Sequence, residues 1–173
     1  MNSSLRAILL NVSEADRAYP IAQVATGVTL PRWRAFVSRR AGGDGSSSGI
    51  MVAQDTRAYV LGFGSFYVAD DLRCGPFMVV DNLFALDLMG GHRVSRFLLR
   101  QLTALAKERE CHAIETHLSA GAAIVRRDAG GLLPLLDHDG HHLESVCARL
   151  DFDSLHDERA VALRCAAPSQ RRH

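Results

Sequence analysis

The sequence predicts an α/β fold with a mixed, mostly antiparallel sheet and flanking helices, and three features indicate it. Apolar, strand-like runs at 49–54, 58–68 and 77–86 are separated by turn residues, which favours an antiparallel meander. The last of these runs leads through a Gly-Gly turn into a long amphipathic helix. A further strand at 113–118 follows that helix, and a crossover of this length permits it to pair in parallel with the strand before the helix.

The size and composition are those of one globular domain. At 173 residues the chain can bury a sizeable core, so we expect a single domain over residues 1–167 and a frayed tail at 168–173. The formal charge of +1 argues against a nucleic-acid-binding surface. Four widely spaced cysteines without a Cys-x-x-Cys pair indicate reduced thiols, and no apolar run reaches membrane-spanning length. We therefore expect a soluble, cytoplasmic protein that binds neither nucleic acid nor membranes.

The first elements of the chain are predicted to be one strand and two helices. Leu5–Leu10 is typical of a short buried strand, and Ser13 or Asp16 is placed to cap a helix that continues to about Val24. A second short helix begins at Pro31. Its apolar residues share one face: Trp33, Phe36 and Val37.

Two stretches lack a regular pattern. Residues 41–49, AGGDGSSSG, contain too little apolar surface to order themselves, which predicts a flexible loop inside the domain. Residues 119–142 are interrupted by several glycines and Pro134, so they do not form one regular element. Beyond them the sequence predicts a short helix at Leu143–Leu150 and a last strand at Val161–Cys165.

The Gly-Gly turn and the helix that follows it form the strongest candidate for a binding site. Backbone N–H groups and the positive end of a helix dipole converge where the helix begins, and this arrangement suits a phosphate or pyrophosphate. The helix itself is amphipathic, so one face packs against the sheet while the other is solvated. Its apolar positions recur at i, i+3 and i+4 spacing: Val94, Phe97, Leu98, Leu102, Leu105 and Ala106.

This order of elements, strongest over Val79–Leu118, resembles the GNAT superfamily of acyl-CoA-dependent N-acyltransferases. Asp81 and Gly90 stand at the family's interval between a strand acid and the pyrophosphate loop, and Leu150-Asp151-Phe152 looks like the Leu-Gly-Phe after its last helix. The resemblance implies a GNAT-like sheet whose parallel strand pair opens an acyl-CoA crevice. It also implies acetyl-CoA or another acyl-CoA as co-substrate and a small-molecule amine as acceptor. Homodimers are common in the family, so a homodimer is an open expectation.

The loop before the helix departs from the family's pattern, which is Gln/Arg-x-x-Gly-x-Gly/Ala. Here Gly90 replaces the Arg or Gln, Arg93 replaces the central Gly, and Ser95 is the small residue at the last position. Arg93 either crowds the ligand or swings outward and adds its positive charge. His92 either hydrogen-bonds a phosphate or is a surface histidine. The resemblance implies these cofactor-binding residues: Gly91, His92, Arg93, Val94, Ser95 and Arg96.

The resemblance also implies roles for residues that carry the chemistry. Asp81 matches the strand carboxylate that acts as general base, commonly through a water; alternatively, Asp81 with Asn82 only hydrogen-bonds a neighbouring strand or loop. Cys147 stands where the family places a proton-donating Tyr, and it is either a weak donor or a small buried hydrophobe. A main-chain N–H of the central strand polarises the thioester oxygen, and this brings in the backbone of Leu83, Phe84 and Ala85.

Two function hypotheses follow. The first is an N-acyltransferase that moves an acyl group from acyl-CoA to a small amine by direct attack. The alternative is a catalytically weak or inactive GNAT-fold protein that binds acyl-CoA in a regulatory role, since the loop glycines and the Tyr are missing. The acceptor side of this fold corresponds to Val24–Arg40 and Ser119–His142. The His-rich segment 137–142 matches no zinc signature, so we assign no metal site and interpret it as a polar loop over the acceptor side.

Overall fold

The computed structural model describes residues 4–43, 47–73, 75–86, 92–117, 136 and 140–141. Within these ranges the chain forms a five-stranded sheet in sequential order. The first four strands pair antiparallel and the fifth pairs parallel with the fourth, which confirms the predicted mixed sheet. The strands are β1 (Arg6–Leu9), β2 (Ser48–Gln54), β3 (Val60–Asp71), β4 (Gly75–Ala85) and β5 (Ala113–Thr116).

A 3₁₀ helix and three α-helices accompany the sheet. They span Val12–Arg17 (3₁₀), Tyr19–Thr26 (α1), Leu30–Ala41 (α2) and Arg93–Glu108 (α3). The predicted cap was wrong, because Asn11 precedes the first helical segment and its side chain accepts a hydrogen bond from the Ser13 N–H at 3.0 Å. Asp16 is instead paired with Arg34. Helix α1 ends at Gly27, whose φ of 69° is the left-handed conformation that favours glycine.

The sheet separates two hydrophobic cores. On one side, which we call the α2 face, Trp33 is buried between the first helices and Phe63 of β3, with the two ring centroids 5.2 Å apart. The Trp33 indole N–H donates to the carbonyl of Ala15 at 2.8 Å, so this large ring is buried with its polar atom satisfied. On the other side, the α3 face, Leu98 and Leu102 are fully buried against the sheet, and the predicted apolar stripe of the helix faces that core.

Regular structure extends into the predicted loop at 41–49 from both ends. Helix α2 continues to Ala41 and β2 begins at Ser48, because strand pairing with β3 includes the small residues Ser48 and Gly49. All described elements belong to one compact unit covering residues 1–141. The predicted helix at Leu143–Leu150 and strand at Val161–Cys165 lie outside the described residues. None of the described helices is long and apolar enough to span a membrane.

Strand β4 carries a β-bulge at its middle. Phe63 pairs with Phe84 and Ser65 pairs with Asp81, so two β4 residues, Asn82 and Leu83, oppose a single residue of β3. Asn82 has a φ of 50°, a left-handed conformation that Asn tolerates better than most residues with a side chain. The bulge bends β4 just after the last residues that pair with β5, and this bend positions the site described below.

Candidate functional site

Within the residues that the structure describes, the parallel pairing of β4 with β5 ends just before the bulge of β4. The two strands pair only from Phe77 to Val80, and the His117 N–H closes this ladder on the Val80 carbonyl at 2.8 Å. Strand β4 continues to Ala85, whereas β5 ends at Thr116. A crevice between two parallel strands that part at their carboxyl ends is where ligands bind in many α/β proteins. The fold therefore provides the parallel strand pair at which the resemblance predicts an acyl-CoA crevice.

Main-chain geometry distinguishes the three residues implied in thioester binding. The Leu86 N–H donates to the Leu61 carbonyl of β3 at 2.8 Å. Because N–H directions alternate along an antiparallel strand, the amide of Phe84 also faces β3, and the amide of Ala85 faces the opposite edge. That edge is the one along which β5 pairs with Phe77–Val80 of β4. The Ala85 amide, and not the Phe84 amide, therefore faces the β5 side of β4.

The side chains of the same three residues belong to the hydrophobic cores. Phe84 packs on the α2 face, where its ring centroid lies 5.5 Å from that of Phe63. Ala85 packs in the α3 core, and Leu83 contacts Leu99 and Leu136 on that side. Any part these residues play in binding is therefore played by their main chain.

Helix α3 begins at a histidine in an unusual conformation. His92 is the N-cap residue with a φ of 47°, and its carbonyl accepts the first helical hydrogen bond from the Arg96 N–H at 2.8 Å. Its side chain does not cap the helix, and its Nε2 atom is buried without a hydrogen-bond partner among the described residues. The first turn of α3 carries no acidic residue. A buried ring nitrogen without a partner, placed at the positive end of a helix, fits an anionic ligand.

Three arginines extend this positive region along α3. Arg93, Arg96 and Arg100 line a cavity of about 350 Å³ together with Leu5 and Phe97. The Nε atom of Arg96 is buried and has no hydrogen-bond partner in the described part of the chain. The side chain of Arg93 is exposed rather than packed into the core, and its two predicted orientations toward a ligand stay open. Three guanidinium groups on two turns of one helix favour a ligand with more than one negative charge.

The remaining residues of the predicted loop divide into two groups. Val94 and Ser95 are buried where α3 begins, so their side chains secure the helix on the sheet. The two glycines of the turn, Gly90 and Gly91, lie outside the described residues.

Asp81 lies on the α2 face, and both of its carboxylate oxygens are engaged. Oδ2 accepts a hydrogen bond from Nη2 of Arg40 at 2.6 Å, and Oδ1 accepts one from the hydroxyl of Ser65. Ser65 is fully buried, whereas the Arg40 and Asp81 side chains remain 24% and 23% exposed. The Asn82 amide donates to the same Ser65 hydroxyl at 3.1 Å. The contact with a neighbouring strand that the sequence offered as an alternative for Asp81 is therefore present.

Sequence reasoning did not identify the two partners of Asp81. Arg40 and Ser65 are separated from it by 41 and 16 residues, and no spacing pattern connects positions so far apart. The available signal was the pairing of strands, since the residue opposite Asp81 in an antiparallel meander is expected to contact it. Arg40 falls at the end of the segment assigned to the acceptor side.

Other candidates have less support from the structure. Cys147 lies outside the described residues, as does most of the His-rich segment at 137–142. Among the residues that the structure describes, no three His, Cys, Asp or Glu side chains come together as a metal site would require. Cys111 is the one cysteine described; burial raises the pKa of its thiol, and the charge of Arg109 partly opposes that effect.

No protein-family model matches the sequence, and no curated protein matches it either. Solved structures do match the fold. A ribosomal-protein-alanine N-acetyltransferase from Brucella melitensis biovar Abortus 2308 is 15% identical, with a TM-score of 0.65 over 86% of this chain and 99% of that one. The aminoglycoside N-acetyltransferase AAC(6')-Iy in complex with CoA is 12% identical, with a TM-score of 0.69 over 88% of this chain and 97% of that one.

A third match is the glucosamine-6-phosphate N-acetyltransferase from Arabidopsis thaliana. It is 14% identical, with a TM-score of 0.65 over 87% of this chain and 99% of that one. These likenesses cover nearly all of each neighbour at very low identity, so they concern the fold rather than the substrate. Together with the mixed sheet and its parallel pair β4 and β5, they confirm the resemblance stated from the sequence: the chain has the GNAT fold.

Proposed function

We propose that this protein is an acyl-CoA-dependent N-acyltransferase that moves an acetyl or other acyl group to the amine of a small-molecule acceptor. The observation that carries the proposal is the positive region at the start of α3, in a chain with the GNAT fold. Neighbours with this fold are named as N-acetyltransferases, and one of them is in complex with CoA. Homodimerisation and a cytoplasmic location are further parts of the proposal.

The cationic start of α3 is suited to the phosphate groups of a CoA ester. His92 and Arg96 each present a buried nitrogen that lacks a hydrogen-bond partner in the described residues, and Arg93 adds a second guanidinium group. Val94, Ser95 and Gly91 take part through the helix start and the turn rather than through charged groups. This donor set fits a phosphate-bearing ligand, because guanidinium and imidazole groups at a helix N-terminus all favour negative charge.

The acyl group is proposed to enter the crevice between β4 and β5. When bound, an acyl-CoA supplies an activated thioester, whose acyl group passes to the acceptor amine by direct attack. The Ala85 amide faces away from β3, toward the β5 side of β4, and is the proposed donor to the thioester oxygen, with Leu83 and Phe84 shaping the strand around it.

Asp81 is the proposed general base, acting through a water. Its two engaged oxygens still have unused acceptor capacity, because an ionised carboxylate offers about four lone-pair sites. The carboxylate is also partly exposed, so a water molecule has access to it. Cys147 stays a prediction as the proton donor to the leaving thiolate.

One observation favours the alternative, an acyl-CoA-binding protein with weak or no turnover. Arg40 lies directly against one oxygen of Asp81, and Ser65 lies against the other. An acceptor amine therefore has to approach a carboxylate whose near contacts are already made. In this alternative the α3 region binds acyl-CoA while the Asp81 cluster has a structural role.

Ligand binding is tested by the thermal stability of the protein against acetyl-CoA, free CoA and an unrelated nucleotide. A ligand at a hundredfold excess over its dissociation constant stabilises the folded state by about 2.7 kcal/mol. We expect this stabilisation with both CoA species and a smaller one in Arg96→Gln. The matched control is Arg32→Gln, which removes an exposed arginine of α2 and is expected to leave binding unchanged. If no CoA species stabilises the protein, both the acyltransferase and the acyl-CoA-binding hypotheses are overturned.

Turnover is tested by the release of free thiol from acetyl-CoA with a panel of amines. An active protein is expected to lose about two orders of magnitude in kcat in Asp81→Asn, because a positioned general base contributes about that much. Asp70→Asn removes an exposed carboxylate at the far end of β3 and serves as the control. Full activity of Asp81→Asn rules out the assigned base, and binding without thiol release selects the alternative function.

A further inference from the structure

Arg40, in the last turn of α2, places a positive charge beside the negative charge of Asp81 on the acceptor side of the fold. We propose that Arg40 binds an acidic group of the acceptor, so that the substrate class is an amine that also carries a carboxylate or a phosphate. The inference rests on the proposed acyltransferase function and adds the chemistry of its acceptor. It draws on three properties of the Arg40 side chain: how it is held, which donors it has left, and what lies next to it.

The guanidinium group is held in place by two aromatic rings. Its Cζ atom lies 4.8 Å from the ring centroid of Tyr67 and 5.7 Å from that of Phe36. Both distances fall within the range of cation–π attraction. A guanidinium that rests on aromatic rings keeps its N–H groups in its own plane, directed away from those rings. Arg40 is therefore oriented before any ligand arrives, which lowers the entropy lost when a ligand binds.

Most of the hydrogen-bond donors of Arg40 have no partner in the part of the chain that the structure describes. A guanidinium has five N–H donors, and only Nη2 of Arg40 has a hydrogen-bond partner within the described residues, namely Asp81. The side chain is 24% exposed, so solvent reaches it. The Tyr67 hydroxyl also makes no hydrogen bond in the part of the chain that the structure describes. Planar guanidinium donors match the two oxygens of a carboxylate or phosphate group.

The neighbouring charge explains why the ligand carries an amine as well as an acid. Arg40 and Asp81 lie side by side with opposite charges, 2.6 Å apart at their closest atoms. An amino acid presents the complementary pair, a negative acid group and a positive or neutral amine separated by a few bonds. With its acid group on Arg40, such a ligand brings its amine close to Asp81, the proposed base. The pair thus selects and orients the acceptor in one contact.

The test compares acceptors that differ only in the acidic group. One arm uses α-amino acids and the amines that remain when their carboxylates are removed, for example phenylalanine and phenethylamine. A second arm uses O-phosphoethanolamine and ethanolamine. In each arm the kcat/KM of the acid-bearing member is divided by that of the neutral member, and the arm with the larger ratio identifies the preferred oxyanion. The variants are Arg40→Gln and Arg40→Lys. The matched control is Arg39→Gln, an exposed arginine one residue earlier in the same helix.

In the wild type we expect the acid-bearing member to have a kcat/KM roughly tenfold to a hundredfold higher than its neutral twin. The ratio is expected to fall close to one in Arg40→Gln, to be partly retained in Arg40→Lys, and to stay unchanged in Arg39→Gln. A residue that only ties α2 to the sheet would alter both members of a pair equally. The inference is overturned if the wild type prefers the neutral member. It is also overturned if the ratio in Arg40→Gln is the same as in the wild type.

Thermal stability with the same pairs separates this inference from the acyltransferase proposal. Stabilisation by the acid-bearing member in wild type and Arg39→Gln, but not in Arg40→Gln, supports the inference even without turnover. Thiol release with neutral amines alone supports the acyltransferase and overturns the role of Arg40. If no acid-bearing member stabilises the protein or is acylated, the inference is also overturned.

Discussion

The side-chain amide of Asn82 donates a hydrogen bond to the hydroxyl of Ser65 at 3.1 Å, across the bulge of β4. The same hydroxyl donates to the carboxylate of Asp81 and lies 3.0 Å from the Asp81 carbonyl oxygen. One buried group of β3 therefore contacts the last residue before the bulge, Asp81, and the first residue within it, Asn82. The bulge of β4 is thus supported by this short polar network as well as by packing.

Replacing Ser65 with Ala is expected to destabilise the protein by about 0.5–1.5 kcal/mol, because it removes the hydrogen bonds of the buried hydroxyl with Oδ1 of Asp81 and with the Asn82 amide. Urea denaturation measures the change, with the fluorescence of the single tryptophan, buried Trp33, as the signal. Ser38→Ala on the exposed side of α2 is the control and is expected to show no loss. Equal stability of Ser65→Ala and wild type would contradict the network.

Substitutions at Asn82 test the left-handed conformation of the bulge. Asn82→Gly keeps the φ of 50° accessible and loses only the side-chain hydrogen bond. Asn82→Val loses that bond as well and adds a steric penalty of about 1–2 kcal/mol. Denaturation should therefore rank wild type above Gly and Gly above Val. If the two variants are equally stable, the bulge does not hold this conformation in solution.

Gly62 lies opposite the end of β4 and has no room for a side chain. A Cβ atom there would lie 2.8 Å from the Phe84 carbonyl oxygen and 3.1 Å from the Ala85 Cα, both of them backbone atoms that cannot rotate away. Gly62→Ala is expected to cost about 1–3 kcal/mol of stability. Gly43→Ala is the control, since nothing lies within 4 Å of its added Cβ. Similar melting temperatures for the two variants would contradict this prediction.

The hydrogen bond from Arg34 holds the pKa of Asp16 below its usual range. A carboxyl whose pKa is depressed by folding adds stability above the pKa of its unfolded form, and this stability is lost as the pH falls through the folded pKa. Arg34→Gln should therefore return the pKa of Asp16 toward its ordinary value in an NMR titration. The difference in stability between wild type and variant should disappear in strong acid. Because the pair is exposed, that difference is small at any pH.

Local patterns were sufficient to predict the sheet and the long helix. The i, i+3, i+4 stripe of α3 faces one core as expected, since a regular apolar stripe has only one way to be buried. The antiparallel runs and the parallel pair follow from strand spacing and connection length. In these elements each residue's environment is decided by its near neighbours in the chain.

Features that depend on distant residues were not predictable in this way. The bulge at Asn82 depends on Ser65, and the surroundings of Asp81 depend on Arg40 from a different helix. At the start of α3, the sequence indicated an anion site from its turn and helix. The structure adds the buried nitrogens of His92 and Arg96, which have no hydrogen-bond partner among the residues it describes and whose burial follows only from packing on the sheet.

The separation of the two cores by the sheet has a consequence for how such a protein diversifies. Arg40 and Asp81 lie on the α2 face, while the arginines of α3 lie on the other, and the faces share only the sheet itself. Changes on opposite faces should therefore combine additively, as distant substitutions without shared partners do. In a double variant such as Arg40→Gln with Arg96→Gln, the loss of kcat/KM, expressed as a free energy, is expected to be the sum of the losses in the two single variants. New acceptors can then be acquired on one face while the region proposed to hold the acyl donor stays intact on the other.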